Sequence, residues 1–268
     1  SSFWSRWPAL HIIGKDILVP AHGIYWLTML KAIGFSDDQM PSFLVHGYIN
    51  IAGEKMSKTL GNVVDPFRLS ENYGAGALRY YLMAECICGQ DMDFSTERLT
   101  LRYNSELANG LGNLLNRTAN MVRRYRNGTL IRPPSPTPQA NSLISQAIQT
   151  WQSVAASMDA FKPQEAIASI FSLVDSANKF AEAESPWKLA KDPTQSHRLD
   201  SALWAMALTS LHAASLLSPF LPNETQKIAA QLQSPLLTYS NHSSSQQDCF
   251  QFAEPQPVFP RIETNTTS

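Results

Sequence analysis

The sequence predicts an α/β segment followed by an all-α segment. Two observations set that division. A strand, crossover helix, strand pattern fills roughly the first forty-five residues, the spacing of a βαβ unit. Beyond residue 98, four long stretches carry apolar residues three and four apart, joined by Pro/Ser-rich connections such as Pro133-Pro134-Ser135-Pro136-Thr137-Pro138. With 44% hydrophobic and 16% charged residues over 268 positions, the chain buries a sizeable core and divides into more than one domain.

Ala9-Leu10-His11-Ile12-Ile13 reads as a buried strand stopped by Gly14-Lys15-Asp16. Residues 22–33 then show helical spacing through Ile24, Leu27, Leu30 and Lys31, with Gly34 placed to end the helix. Phe43-Leu44-Val45-His46 is a second buried-strand pattern. In a parallel sheet ligands bind at the carboxyl ends of strands, where Gly14-Lys15-Asp16 and His46-Gly47 fall. A loop over 52–62 follows, then a helix opening at Asp65-Pro66, where proline suits the first turn. Asp91-Met92-Asp93-Phe94-Ser95 is expected to cap the helix beginning at 96. The four long stretches, near 99–126, 141–160, 163–182 and 197–217, describe an antiparallel helix bundle. Pro219-Phe220-Leu221-Pro222 breaks the fourth, a shorter helix covers 223–232, and the Ser/Gln-rich stretch 240–247 is expected to be mobile.

Composition limits the partners. Lys and Arg number 21 against 22 Asp and Glu, a net charge of -1, so a polyanion must be met by local basic patches. The three cysteines, Cys86, Cys88 and Cys249, are too few for a disulfide framework or a four-ligand zinc site, and fit a reducing cytosol. No metal site is expected in this segment, zinc included. No apolar run approaches the ~20 residues a bilayer demands, and Ser1-Ser2-Phe3-Trp4-Ser5-Arg6 forms no secretory signal. The expectation is a cytoplasmic protein without membrane contact.

Lys55-Met56-Ser57-Lys58-Thr59 puts two ammonium groups three residues apart on a small-residue loop between Gly53 and Gly61. Such a loop suits a flexible polyphosphate, because preorganised positive charge stabilises the charge that builds on departing pyrophosphate. Taken alone it reads more readily as a solvated surface loop. Its surroundings reverse that reading. The run from His46-Gly47-Tyr48 through Gly53-Glu54-Lys55-Met56-Ser57-Lys58-Thr59-Leu60-Gly61-Asn62 to Val63-Val64-Asp65-Pro66 resembles the signature loop of class I aminoacyl-tRNA synthetases, in the form found in methionyl enzymes. Thr59 replaces the family's usual serine and keeps the hydroxyl. Trp7-Pro8-Ala9-Leu10-His11-Ile12-Ile13-Gly14-Lys15-Asp16-Ile17-Leu18 is similar to the methionyl enzymes' penultimate nucleotide-domain strand, and Ala77-Leu78-Arg79-Tyr80-Tyr81-Leu82-Met83 to the helix after their loop.

The resemblance implies the C-terminal half of a Rossmann-type nucleotide-binding domain, with ATP and its Mg2+ as cofactors and L-methionine and tRNA(Met), initiator included, as partners. It implies catalytic roles for Lys55 and Lys58. ATP contacts would come from Gly14, Asp16, His46, Gly47, Lys55, Met56, Ser57, Lys58 and Thr59. Ile17 and His22 would border methionine, although His22 stands one residue farther from Asp16 than in some relatives and reads equally as a helix-start residue. His11-Ile12-Ile13-Gly14 is not the family's other signature, a His-x-Gly-His tetrad that must open a helix after the first strand. That tetrad and the first half of the nucleotide fold are absent from these residues, so the chain by itself is expected to be inactive.

In the helix 99–126, Leu107, Leu111, Leu114, Leu115, Thr118, Met121 and Val122 fall within an arc of about 120°, and Asn113 and Arg117 lie opposite, one turn apart. Polar residues there are ordinarily only solvated. Gly112-Asn113-Leu114-Leu115-Asn116-Arg117 resembles the methionyl family's anticodon-contacting stretch, and Glu184-Ser185-Pro186-Trp187-Lys188-Leu189 its Pro-Trp segment, whose tryptophan stacks on an anticodon base. Without that context Trp187 reads as a core residue. Pro257-Val258-Phe259-Pro260-Arg261-Ile262 resembles the family's terminal segment that packs back on the body. The expected domains are 1–98, the C-terminal half of the catalytic domain; 99–232, a helical anticodon-binding domain; and 233–268, a tail with a disordered end, in a monomer. The competing readings are a non-catalytic RNA-binding module and another class I synthetase, leucyl, isoleucyl, valyl or cysteinyl.

Overall fold

The computed structural model describes residues 7–57, 61–243 and 247–263. They form two compact units, Ser1–Asp65 with Glu85–Ser95, and Pro66–Ala84 with Thr96–Ser268. Residues 66–84, which the sequence groups with the first domain, thus pack in the second unit. Lys58 and Thr59, part of the 240–247 stretch, and 264–268 of the tail expected to be disordered lie outside the described residues.

In the first unit, β1 (Leu10–Gly14) and β2 (Ser42–His46) pair in parallel, with Leu10 opposite Ser42 and Gly14 opposite His46. The helix expected over 22–33 is regular only in α1 (Leu27–Ala32). Before it, Leu18–Trp26 winds more widely, with Val19 extended at φ −118° and ψ 127°. Pro20 cannot donate to a regular turn, so the ladder opens there. Next, β3 (Ile49–Ile51) and β4 (Glu54–Lys55) form a hairpin turned by Ala52 and Gly53, both left-handed at φ 52° and 78°.

The segment expected to cap a helix at 91–95 is mostly a strand. β5 (Met92–Phe94) lies parallel to β3, with Met92 and Phe94 buried and Asp93 outward. Period-two burial over so short a run is hidden by its three acid and hydroxyl neighbours. Asp91 accepts from the Tyr48 amide and Asp93 from the Gly53 amide, each at 2.8 Å, so both carboxylates hold the hairpin segment.

The second unit begins with α2 (Pro66–Tyr73) and α3 (Ala75–Glu85). Arg79 donates to the Pro219 carbonyl at 3.0 Å, and fully buried Tyr80 donates to Glu106. These contacts explain why 66–84 packs with the helices. The predicted 99–126 helix is built in three pieces: α4 (Thr96–Arg102), a wider winding over Tyr103–Gly112, and α5 (Asn113–Arg126). Gly112 permits the wide turn, since a Cβ there would stand 3.0 Å from the Leu107 carbonyl and 3.6 Å from Phe259. Leu107, Leu111, Leu114, Leu115, Thr118, Met121 and Val122 are all buried, as the helical arc requires.

A short strand β6 (Thr129–Ile131) leads to the long helices α6 (Pro138–Asp159) and α7 (Pro163–Glu184), then α8 (Pro186–Leu189), α9 (Ser196–Leu217) and α10 (Pro222–Leu232). Proline stands at the first turn of α6, α7, α8 and α10, where no amide partner is lost. Apolar spacing predicts one buried face for α9, but every residue from Ser201 to Leu217 is buried. Its alanines and serines count as apolar once the hydroxyls turn inward: Ser201, Ser210 and Ser215 donate to carbonyls one turn back at 2.7–2.9 Å. A helix apolar all round belongs in the centre, and α5, α6, α7 and α10 pack against it.

The C-terminal segment returns to this core. β7 (Cys249–Gln251) pairs antiparallel with β6, and buried Phe250 meets Trp204 with ring centroids 5.0 Å apart. Val258 and Phe259 are buried, and the Asn104 side chain exchanges two hydrogen bonds with the Ile262 backbone, at 2.8 and 2.9 Å. The described part of the Ser/Gln-rich stretch forms a turn in which the His242 amide donates to Thr238 and the His242 ring stacks on Trp151, centroids 4.8 Å apart.

Beneath that turn, the Trp151 indole donates to Nδ1 of His212 at 2.8 Å. Accepting that bond requires a neutral imidazole. Burial, followed by the nearby His242, pushes the His212 pKa down to about 4 from 6.5. Between those values the unfolded chain binds more protons than the folded one, so stability rises with pH. The contribution is complete above pH 6.5 and lost as pH falls toward 4, about 3 kcal/mol in all. His212→Gln keeps an acceptor without the titration and is expected to flatten the acid limb of the urea-midpoint curve. An equally steep limb in the variant would refute this assignment.

Candidate functional site

The carboxyl ends of β1 and β2 bring three expected site residues together. Gly14 stands opposite His46, and a Cβ on Gly14 would lie 2.7 Å from Asp16 Oδ1 and 3.6 Å from His46 Cε1. A side chain at position 14 would therefore push the Asp16 carboxylate aside. Gly47 is buried with its backbone against Gln90 and Asp91, where a Cβ would collide with main chain. Chain reversal at the strand end therefore presents Asp16, His46 and the Lys15 ammonium from one small region.

Lys15 is paired with Asp91 at 2.7 Å. That bond, then the Tyr48 amide, holds the Asp91 carboxyl below the usual range. The ammonium groups of Lys15 and Lys55 both rest against the Tyr48 ring, 4.3 and 3.9 Å from its centroid. After Lys55, half-buried Met56 and Ser57 enter the loop. Asn62 closes it: its side chain accepts from the Ser57 amide at 2.7 Å and donates to the Lys55 carbonyl at 3.3 Å. Tyr48, Asp91 and Asn62 carry no signal in isolation that sequence reasoning would single out.

His22 borders a cleft of about 510 Å³ lined also by His11, Ala21, Tyr25, Trp26 and Met29. Its Nδ1–H donates to the Ile17 carbonyl at 2.8 Å, so Ile17 orients His22 through its backbone while its own side chain is exposed. The Trp26 indole nitrogen is buried without a hydrogen-bond partner. Sequence reasoning missed Tyr25 and Trp26, although they follow His22 at three and four residues, the spacing that places side chains on one helical face.

In the second unit Asn113 is exposed at the start of α5, and half-buried Arg117 lies one turn on. Arg117 binds Glu182 at 2.7 Å and lies over the Trp187 ring, 5.2 Å from its centroid. Trp187 is half-buried, not a core residue. Its position follows from the α7–α8 corner: Ser185 adopts a left-handed φ of 48°, and Pro186 starts the next helix. Buried Glu184 anchors the corner by accepting from Arg198 Nε at 2.8 Å and from Nη2 at 3.4 Å. An Arg–Trp pair with an exposed amide on the same helix offers a planar cation, a ring face and a hydrogen-bonding edge, the groups that read unstacked bases.

Residues 1–119 match the model of class I tRNA synthetases (M), and residues 133–267 that of the anticodon binding domain of methionyl tRNA ligase. The chain belongs to the methionyl-tRNA synthetase family. It is 42% identical over 237 residues to the methionine–tRNA ligase of Clostridium perfringens, covering 88% of this chain and 36% of that one. With the enzyme of Clostridium acetobutylicum it shares 37% over 263 residues, covering 97% and 40%. Among solved structures, Mycobacterium tuberculosis methionyl-tRNA synthetase in its free state superposes with a TM-score of 0.88 at 29% identity, covering 98% of this chain and 52% of that one. The same enzyme in complex with methionyl-adenylate also gives 0.88, at 32% identity, covering 97% and 52%. The chain therefore spans well under two thirds of the length of these relatives. Across the family match, α/β and helical parts follow in the order read from the sequence.

The Glu184–Arg198 pair yields a direct test of how the Pro186–Trp187 corner is held. Arg198→Met leaves the Glu184 carboxylate buried and unpaired, and is expected to cost about 1–2 kcal/mol in urea unfolding, with Arg198 half-exposed and so partly screened. Arg198→Lys should recover part of the loss. A midpoint unchanged in Arg198→Met would show that the pair contributes nothing.

Proposed function

We propose that this chain supplies one wall of the ATP site and the anticodon reader of a methionine–tRNA ligase. In that reaction a carboxylate oxygen of L-methionine attacks the α-phosphorus of ATP, pyrophosphate leaves, and the acyl group of the adenylate passes to the 3′ end of tRNA. The observation that carries the reading is the convergence of Gly14, Asp16 and His46 at parallel strand ends, with Lys55 resting on the ring just beyond them.

On this reading Asp16 accepts from the ribose hydroxyls, the Gly14 and Gly47 backbone admits the nucleotide, and Lys55 with Lys58 stabilises the charge on pyrophosphate. Met56, Ser57 and Thr59 complete the loop around the phosphates. Mg2+ would enter with ATP, chelated by its phosphates. The cleft at His22, beside Ile17, takes the methionine side chain, with Tyr25 and Trp26 as its aromatic wall. The methionyl-adenylate bound by the Mycobacterium relative supports ATP and methionine as the substrates. Asn113, Arg117 and Trp187 read the CAU anticodon of tRNA(Met), initiator included. Among the described residues no helix is long and apolar enough to cross a membrane. The family reading, with its substrates ATP and tRNA, places the enzyme in the cytoplasm, as a monomer.

The first unit gives the physical reason for expecting no activity from this chain alone. Parallel sheets are normally covered on both faces, yet Ile12 on β1 is 67% exposed, and Val19, Ile24 and Ile33 are also open. Such a surface fits a half-domain that needs further polypeptide. Methionine-dependent pyrophosphate exchange is expected from the full-length protein and not from residues 1–268 alone. Exchange by the fragment would overturn the half-site reading, and its absence in the full-length protein would overturn the enzyme.

The anticodon assignment is tested separately. Trp187→Ala is expected to weaken binding of tRNA bearing CAU by roughly tenfold at matched salt, the size of one lost base–aromatic stack. Equal affinity of variant and parent would remove Trp187 from the reader.

A further inference from the structure

Two lysines share one aromatic ring in the first unit, but among the described residues only one of them is paired with an acid. Lys15 is neutralised by Asp91 at 2.7 Å, and the same carboxylate accepts from the Tyr48 amide at 2.8 Å. Lys55 lies 3.9 Å from the centroid of the Tyr48 ring, and its contact there is with the π face. These two ways of holding an ammonium group differ in kind. A carboxylate cancels the charge and competes with any incoming phosphate. A ring face attracts the cation weakly and leaves its charge intact.

We propose that Tyr48 is a positioning residue for the adenylate-forming step: its ring is a perch that keeps Lys55 ordered and fully charged until a triphosphate draws it away. Asp91 sets the perch in place by accepting from the Tyr48 amide and by pairing with Lys15, which shares the ring at 4.3 Å. Close packing of Gly47 on Gln90 and Asp91 fixes the spacing between the acid and the ring. The proposal rests on the reading of Lys55 as a phosphate-binding lysine, and goes beyond it by assigning what holds that lysine beforehand.

The geometry makes a specific demand on chemistry. The ring is needed, and the phenolic hydroxyl is not. In the full-length protein, Tyr48→Leu removes the π face but keeps apolar bulk, while Tyr48→Phe keeps the face. Single-turnover adenylate formation in Tyr48→Leu is expected to slow by roughly three- to tenfold, with a matching rise in the ATP concentration for half-maximal rate and unchanged methionine affinity. Tyr48→Phe restores the parental rate. Because the effect runs through Lys55, Tyr48→Leu should add nothing in a Lys55→Ala background.

A merely structural role predicts a different pattern, in which methionine affinity falls along with the ATP response and Tyr48→Leu is additive with Lys55→Ala. Either result overturns the proposal. If Lys55→Ala slows the step but Tyr48→Leu does not, Lys55 keeps its role and the perch is wrong. If Lys55→Ala itself has no effect, the phosphate-binding reading fails and the perch falls with it.

Discussion

A helix buried around its whole circumference leaves its neighbours little freedom, and α9 is such a helix. Its seventeen residues from Ser201 to Leu217 are all buried. Burying one leucine or methionine side chain contributes about 1.5–3 kcal/mol, and α9 presents several. The small residues between them let α5, α6, α7 and α10 approach closely, while serine hydroxyls satisfy themselves on carbonyls one turn back. The proposed anticodon reader of this unit hangs from that frame. Arg117 projects from the outer side of α5, whose inner side packs on α9. Trp187 stands at a corner held by Arg198, which belongs to the first turns of α9 itself.

The first unit is organised by a different economy of interactions. Its strands are short, and the hairpin at 49–55 depends on side-chain carboxylates more than on a deep core. Asp91 and Asp93 each take one backbone amide, Asn62 joins the two ends of the loop, and Gly47 leaves no room between hairpin and acid segment. Positive charge is sorted in the process. Lys15 is committed to an acid and Lys55 to a ring. On the proposed reading of the loop that asymmetry matters, because charge already cancelled offers nothing to an incoming phosphate.

Much of this was legible in the sequence where one pattern dominated. β1 and β2 announced themselves by apolar runs ended by Gly14 and His46, and the buried face of the 99–126 stretch by its arc from Leu107 to Val122. The helix starts at Pro66 and Pro163, and the proline break between α9 and α10, were equally plain. Other features were hidden for physical reasons. Wide winding over Leu18–Trp26 and Tyr103–Gly112 alters the period too slightly for apolar spacing to register. Alanine and serine masked the full burial of α9. The Met92–Phe94 strand is three residues long, too short for alternation to be recognised. At the proposed sites, the structure sets Gly14, Asp16 and His46, singled out from their place at strand ends, around one corner, and lays Arg117 over the Trp187 ring, a pair singled out from a resemblance. Glu182, Glu184 and Arg198 were invisible because each acquires meaning only from a partner distant along the chain.

The returning segment carries a consequence for the order of events during synthesis. Phe250 fills the space beside Trp204, and the backbone at Ile262 bonds to Asn104, a partner 158 positions earlier. Until those residues leave the ribosome, α9 has one flank without its permanent cover and β6 has no strand to pair with. The helices are therefore made before their last packing partner exists. Contacts of such long sequence separation form late, so the Phe250 side of Trp204 is the last part of the α9 surface to be covered.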